Sequence, residues 1–354
     1  MAETSKWRIA VDGMGGDQAP AEIVAGAVEA AHHFPDVEIQ LYGDESALRD
    51  HMPADLPTNL AVVHAPEKIT SEDEPVKAIR QKKGSSMVMA ARAVKSGQAD
   101  AMLSAGNSGA LLSSGLLIVG RMKGIERPAF MAALPNLSQP GDNWLLIDSG
   151  ANSESKAKHL FQYAQMGQAY AEQVQGKSFA RVALLNNGAE ASKGTEVLKA
   201  AHQALSQNQA INFTGNIEAR DVLSGQADVV VADGFTGNAV LKSIEGTASQ
   251  VMKVVTDALK NGNLSTKLGG LLIKKQLKDT LKSMDYNQVG GALLFGVKAP
   301  VIKCHGTANA KNIFYAIQQA IQVLDVEVVP ELATRFAEDF KREKAAQSEQ
   351  DKGE

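Results

Sequence analysis

The chain is short of several things, and each shortage removes a class of function. It carries one cysteine, Cys304, in 354 residues. Neither a disulfide framework nor a thiolate zinc site can be built from it, and a reducing cytoplasm suits it. There is no surplus of positive charge; a formal net charge of −4 runs against general nucleic-acid binding. A long apolar run is also missing, because the stretch from Ala110 to Val119 is interrupted by Ser113-Ser114-Gly115 and is too short to span a bilayer. Met1–Lys6 has no signal-peptide core. No Gly-x-Ser-x-Gly elbow occurs, and His32, His33, His51, His64, His159 and His202 lack metal-ligand spacing. The expectation is a soluble protein with no metal, no cofactor and no covalent nucleophile, whose substrate supplies the attacking group.

What the chain does have is an alternation of short apolar runs with segments of helical period, the pattern of a parallel α/β sheet. Strands are expected at Trp7–Asp12, Val37–Tyr42, Leu60–His64, Ala101–Ser104, Trp144–Asp148, Arg181–Leu185, Val229–Ala232 and Val301–Lys303. Their β-branched and leucine-rich composition, with little alternation, predicts strands buried on both faces. Helices are expected at Pro20–His33, Ser86–Ser96, Ser108–Met122, Lys156–Val174 and Lys193–Leu205, Pro20 suiting a first helical turn. No internal repeat stands out. Residues 1–333 read as a single α/β domain and 334–354 as a charged tail, disordered from Lys341 onward.

Glycine and amide residues repeatedly interrupt the boundary between strand and helix. Four loops do so: Asp12-Gly13-Met14-Gly15-Gly16-Asp17, Ser104-Ala105-Gly106-Asn107-Ser108, Asn186-Asn187-Gly188 running to Lys193-Gly194-Thr195, and Asp233-Gly234-Phe235-Thr236-Gly237-Asn238. Such loops gather at the carboxyl edge of a parallel sheet, where backbone N–H groups bind anions, so the chain is expected to hold phosphate. The first is only a partial dinucleotide fingerprint: a third glycine would fall at Gln18, and Asp44 comes too late for a ribose contact. Asp12 and Asp17 can orient that loop as acceptors. The third loop inverts the Gly-Lys order of a nucleotide-binding phosphate loop, yet Lys193 at a helix start suits inorganic phosphate; the alternative is a solvated surface lysine. Asn238 can donate two hydrogen bonds without bringing charge, as an oxyanion donor does, or can cap a helix. Ser104, Asn107 and Ser108 are donors or caps on the same reasoning. His305 is a candidate phosphate ligand or proton donor, and its strand neighbour Cys304 points to the opposite face, which argues against a Cys–His dyad.

One segment departs from the alternation. From about Thr236 to Met284 the chain reads as helix throughout, longer than a crossover needs. Leu264, Leu268, Leu271 and Leu272 form one apolar stripe, and Ile273, Leu277, Leu281 and Met284 a second on nearly the opposite face. Gly269-Gly270 lies just before the change, so a helical hairpin over about 255–288 is expected. Lys274, Lys275, Lys278 and Lys282 flank the second stripe. The pattern fits a core or dimer contact, and also a basic amphipathic tip lying on an anionic membrane.

Taken in order, these motifs resemble those of a known family. The loops at 11–17, 104–110 and 233–238 match it, as do Asp148-Ser149-Gly150-Ala151-Asn152, Glu74-Pro75-Val76 with Ala78-Ile79-Arg80, and Gly290-Gly291-Ala292 through Lys303-Cys304-His305-Gly306. The family is the bacterial phosphate acyltransferases of phospholipid synthesis, PlsX, and the resemblance runs from about Trp7 to Leu324. It implies transfer of a long-chain fatty acyl group from acyl carrier protein to inorganic phosphate, giving an acyl phosphate used by a membrane glycerol-3-phosphate acyltransferase. It also implies a homodimer with a Rossmann-like α/β/α fold of mostly parallel sheet, similar to isopropylmalate dehydrogenases and phosphotransacetylases. A cytoplasmic location, peripheral to the inner face of the cell membrane, follows, with Leu264, Leu268, Leu271, Leu272, Lys274 and Lys275 as its contact. The family's catalytic lysine and asparagine fall on Lys193 and Asn238. Gly13, Gly15, Gly16, Ser104, Gly106, Asn107 and Ser108 are then expected around substrate, as are Asn187, Gly188, Gly234, Thr236, Gly237 and His305. The acidic carrier is expected to dock on a basic surface, at Arg80, Lys82 and Lys83 or at the Lys274–Lys282 cluster. Cys304 departs from the alanine common in the family. Alternatives from the residues alone are a short-chain acyl-CoA phosphotransacetylase and a non-catalytic membrane adaptor.

Overall fold

A computed structural model describes residues 6–139, 141–261, 263, 269, 273 and 290–350. The expected hairpin, with Leu264, Leu268, Leu271, Leu272, Lys274 and Lys275, lies outside the described residues. The chain divides into two compact units, the first formed by 1–132, 169–178 and 287–354, the second by 133–168 and 179–286.

In the first unit the strands run β3 (Leu60–His64), β2 (Val37–Gly43), β1 (Trp7–Asp12), β4 (Ala101–Ser104), β11 (Val301–Lys303), β10 (Ala292–Phe295) and β5 (Ala129–Pro135), whose last residues pass into the second unit. From β3 to β11 neighbours are parallel, and β10 is antiparallel to both β11 and β5. Four strand boundaries, β1, β3, β4 and β11, fall where the apolar runs predict them. Residues of β4 are buried throughout, which is why its sequence shows no alternation. Helix α1 (Ala21–His33) packs on the helix Ala310–Asp325, and α4 (Ser86–Lys95) packs on β1, β2 and β4. The short helices α2 (Glu45–Arg49) and α3 (Pro75–Gln81) begin at side-chain caps, Asp44 and Glu74.

In the second unit the order is β6 (Asn143–Ile147), β9 (Val229–Val231), β7 (Val182–Asn186), β8 (Phe213–Glu218), all parallel. Trp144, Leu146, Leu185, Val230 and Ala232 share one buried cluster, with Val240, Leu241 and Ile244 of a long helix packed on it. That helix, α8, runs Gly234–Asn261 and follows α5 (Ser108–Ser114), α6 (Ala157–Gln173) and α7 (Glu196–Ser206) in the chain.

Three differences from the expected elements have physical causes. The helix expected to Met122 gives way after α5 to a π-helical turn, Gly115–Gly120, where Gly115 lies hard against Leu294. Strand β8 is polar and broken by Gly215 at φ +100° beside a register shift, so its sequence lacks an apolar run. The expected disordered tail is instead helical to residue 350: α9 (Ala310–Asp325) is followed by α10 (Val328–Gln350), anchored by buried Val328, Leu332 and Phe336 and continued by good helix formers.

The α1–α9 contact depends on Gly26. A Cβ there would run into the Ala310 carbonyl and lie 2.6 Å from Ile313 Cβ. Gly26→Ala should therefore lower stability by about 1–3 kcal/mol through overpacking. A thermal melt reads this directly, and an unchanged midpoint would show that the two helices can separate at no cost.

Candidate active site

In the first unit, adjacent parallel strands β1, β4 and β11 bring three loops together at their carboxyl ends. Asp12 ends β1 and is buried. Its carboxylate accepts hydrogen bonds from Ser86 Oγ at 2.5 Å, Ser104 Oγ at 2.6 Å and the Met14 N–H at 3.3 Å. Burial lifts its pKa above the ordinary carboxylate value, and the Ser104 and Ser86 hydroxyls pull it back. Ser104 Oγ in turn accepts from the Gly106 N–H at 2.9 Å. The loops lie so close that Gly15 has no alternative: a Cβ would be 2.5 Å from Asp12 Oδ2 and 2.8 Å from Gly106 N. Gly16 sits at φ +107°, and Asp17 N donates to the Gly306 carbonyl at 2.8 Å, tying in the 305–307 loop.

The candidate ligands of this unit divide by what their polar groups already do. Asn107 caps α5 through Oδ1 to Ala110 N and donates through Nδ2 to the carbonyls of Thr70 and Asp73. Gly13 directs its N–H to Tyr42 O. Ser108 is exposed at the start of α5. His305 is exposed, with its Nδ1 2.9 Å from Thr307 Oγ1 and 3.3 Å from the Thr307 backbone N, which donates to it. Cys304, by contrast, is buried, and burial pushes its thiol up to about 12.

In the second unit the carboxyl ends of β6, β9 and β7 stand side by side. Asn186 ends β7; its Oδ1 accepts from Asn187 N at 2.8 Å and its Nδ2 donates to Lys193 O at 3.2 Å. This one side chain closes the loop from 187 to 193. Asn216 adds a bond from Nδ2 to Glu190 O at 2.8 Å. Gly194, at φ +88°, lies where any Cβ would strike Asn186. The Lys193 side chain crosses Gly188, since a Cβ there would be 2.8 Å from Lys193 Cγ. Lys193 is exposed, and no ion pair engages its ammonium among the described residues. Asn187 is exposed beside it.

Past β9, Asp233 caps α8, accepting from Thr236 N at 2.9 Å and Thr236 Oγ1 at 2.8 Å. Thr236 is thus engaged in the cap. Gly234 and Gly237 lie against the 148–152 loop, and Asn238 follows them, exposed. Asp148, fully buried, accepts from the N–H groups of Gly150, Ala151 and Asn152 at 2.8–2.9 Å and from Asn152 Nδ2 at 2.9 Å. Burial raises its pKa, against the pull of these donors. The predicted site residues therefore form two groups, one within each unit. Sequence reasoning placed Ser86, Asp148 and Asn186 in its motifs and elements but gave none of them a role at the site; a strand-final Asp or Asn before a glycine-rich turn is the signal that marks the last two. Among the described residues, no cluster of three or more His, Cys, Asp or Glu could hold a metal ion.

A family model described as fatty acid synthesis protein matches residues 7–330. The chain belongs to this family. It is 54% identical over 329 residues to the phosphate acyltransferase of Streptococcus thermophilus, covering 93% of this chain and 97% of that protein. The phosphate acyltransferase of Streptococcus suis is 53% identical over 330 residues, with 93% and 97% covered. Among solved structures, a phosphotransacetylase from Streptococcus pyogenes superposes with TM-score 0.59 at 17% identity, covering 90% of this chain and 94% of that one. A branched-chain phosphotransacylase from Enterococcus faecalis gives TM-score 0.55 at 15% identity, with 89% and 98% covered. These two likenesses establish the fold, a mostly parallel α/β sheet with helices.

A thiol with a pKa near 12 stays protonated at pH 8. Iodoacetamide at that pH should leave Cys304 unmodified in native protein and alkylate it in urea. Mass spectrometry giving equal labelling in both would mean the 301–307 segment opens readily.

Proposed function

We propose that this chain is an acyltransferase that moves a long-chain fatty acyl group from acyl carrier protein to inorganic phosphate, giving an acyl phosphate for phospholipid synthesis. The relatives' name, phosphate acyltransferase, supports the acyl and phosphate substrates. The observation that carries the reading is Lys193, a lysine without an ion-pair partner among the described residues, presented by a loop stapled shut through Asn186.

In this reading the Lys193 ammonium holds the phosphate dianion, and the dianion is the nucleophile. Its oxygen attacks the thioester carbonyl, forming the C–O bond. The Asn238 amide donates to the oxygen that becomes negative, and collapse of the adduct breaks the C–S bond. The carrier's thiolate leaves with the electron pair and takes up the proton released from the phosphate hydroxyl. No serine or cysteine nucleophile is needed, and holding the reactants in place replaces a bimolecular encounter. In the first unit, the backbone at Gly16 and the exposed His305 of the neighbouring 305–307 loop are the candidates for an anionic part of the substrates.

The carrier's docking face is narrowed by one ion pair. Lys82 Nζ bonds Asp73 Oδ2 at 2.6 Å and the Lys68 carbonyl at 3.2 Å, and the pair holds the Asp73 carboxyl down at about 2. Lys82 is therefore engaged, leaving exposed Arg80 and Lys83 as candidates. The Lys274–Lys282 cluster lies outside the described residues. Homodimerisation, peripheral contact with a membrane through Leu264, Leu268, Leu271, Leu272, Lys274 and Lys275, which lie outside the described residues, and a neighbouring glycerol-3-phosphate acyltransferase complete the proposal. No helix among the described residues is long and apolar enough to cross a membrane.

The test is a transfer assay with inorganic phosphate, trapping acyl phosphate, with palmitoyl-acyl carrier protein and palmitoyl-CoA run in parallel. Phosphate-dependent thiol release from the carrier is expected, with little from the CoA ester. Asn238→Ala should lower kcat by about 10²–10³, the usual cost of an oxyanion donor. Lys193→Ala should raise KM for phosphate as well as lower kcat. Folded variants with unchanged turnover would sink the assignment, and preference for a short acyl-CoA would move it to a phosphotransacetylase.

A further inference from the structure

An exposed amide is a poor oxyanion donor unless something fixes where it points, and no hydrogen bond engages the Asn238 amide among the described residues. We propose that Asp148, through Gly150, is the positioning residue for Asn238; this rests on the reading of Asn238 as the oxyanion donor. The four donors to Asp148 come from residues two to four places along the chain, so the carboxylate folds its own loop around itself. That loop is the floor beneath the first turn of α8. A Cβ on Gly234 would lie 2.7 Å from Asp148 Oδ2, and one on Gly237 would run into the Asp148 carbonyl. The next residue is Asn238. Gly150, at φ +133°, presents a bare α-carbon to it: a Cβ there would be 3.2 Å from both Cβ and Oδ1 of Asn238. The Asn238 amide is thereby bounded by a loop whose shape the Asp148 carboxylate sets.

Two other roles for Asp148 fail on the same geometry. It is fully buried behind its own loop, so it does not touch the reacting atoms and is not itself an acid or base in the reaction. The loop's N–H groups converge on that carboxylate and are not offered to a phosphate.

The discriminating experiment is a kinetic cycle on the full chain with Asp148→Asn, Asn238→Ala and the double variant, using the carrier-to-phosphate assay. In Asp148→Asn one oxygen is replaced by an NH₂ that faces donors on either flip, so the loop must relax. Displacing the amide should lower kcat about 10-fold to 100-fold, with KM for phosphate little changed. In the Asn238→Ala background the same substitution should change kcat less than about 2-fold, because the group it positions is gone. A cost that multiplies fully in that background overturns the proposal, since Asp148 would then act independently of Asn238. Gly150→Ala supplies the second variant should Asp148→Asn melt below the assay temperature. It leaves the carboxylate in place, pushes on Asn238 directly, and should be equally silent in the Asn238→Ala background. Should Asn238→Ala alone leave kcat unchanged, the oxyanion reading falls. Positioning is then decided by NMR: the Asn238 side-chain amide resonances, assigned by their loss in Asn238→Ala, must shift in Asp148→Asn, and unmoved resonances overturn it.

Discussion

A carboxylate taken out of water at the end of a strand must gather hydrogen-bond donors or surrender its charge. Asp12 ends β1 in the first unit and Asp148 follows β6 in the second, and both are buried. Each solves the problem differently. Asp12 recruits hydroxyls from other elements, Ser86 at the start of α4 and Ser104 at the end of β4, and so knits a helix and two strands at one point. Asp148 recruits the backbone of its own turn and so shapes a single loop. The first-unit loops and the turn beneath Asn238 rest on these two groups, while the Lys193 loop is closed by Asn186. Their tight glycine contacts, at Gly15 over Asp12 and at Gly234 over Asp148, follow from having a carboxylate rather than a side-chain core beneath the turn.

The opposite edge of each unit is fixed by charge as well. Arg8 meets Asp100 through its backbone N–H, Nε and Nη2, and Arg181 meets Asp228 through the same three atoms. The first clasp joins the amino ends of β1 and β4, the second those of β7 and β9. Bidentate guanidinium pairs are directional, so each clasp sets strand register and not only strand proximity. A pair of adjacent parallel strands pinned in register at one end delivers its loops at a defined spacing at the other. Precision at the carboxyl edge is thus partly established at the amino edge, far along the strands from any candidate ligand.

The strands legible in the sequence are uninterrupted apolar runs, which need no partner to be recognised; β1, β4 and β11 fall where such runs predict and are largely buried. Strand β3 also falls where predicted but, as the edge strand, is only partly buried and not covered on both faces as its composition suggested. Strand β8 was not legible, being polar and kinked at Gly215, and β10 pairs antiparallel on both sides within four residues. Such strands are defined by neighbours rather than by composition. Helix α10 shows the reverse error, since high charge suggested disorder where helix propensity and four buried apolar residues before Lys341 sustain order. At the candidate site, Lys193 and Asn238 stood out from their places after apolar runs. The clasps and Ser86 did not, because their partners lie 47 to 92 residues away.

Four loops rich in glycine looked equally ready for an anion, yet N–H groups are anion ligands only if the protein leaves them unengaged. Gly106 N is engaged by Ser104, Ala110 N by Asn107, Asn187 N by Asn186 and Thr236 N by Asp233. The turn at 150–152 is filled by Asp148. Internal acceptors thus already occupy much of the positive backbone potential that a sequence reading assigns to substrate. Asn107 and Thr236 join them, their side chains engaged in caps rather than offered outward. The consequence is a redistribution of chemistry from backbone to side chain. In the proposed reaction, recognition of a phosphate then falls more heavily on an ammonium without an ion pair among the described residues, and stabilisation of an oxyanion on a carboxamide, than on any glycine. The discriminating power of the site in that reaction then lies in Lys193 and Asn238, and the glycines at 150, 188, 194, 234 and 237 are what let the backbone around those two side chains pack so closely.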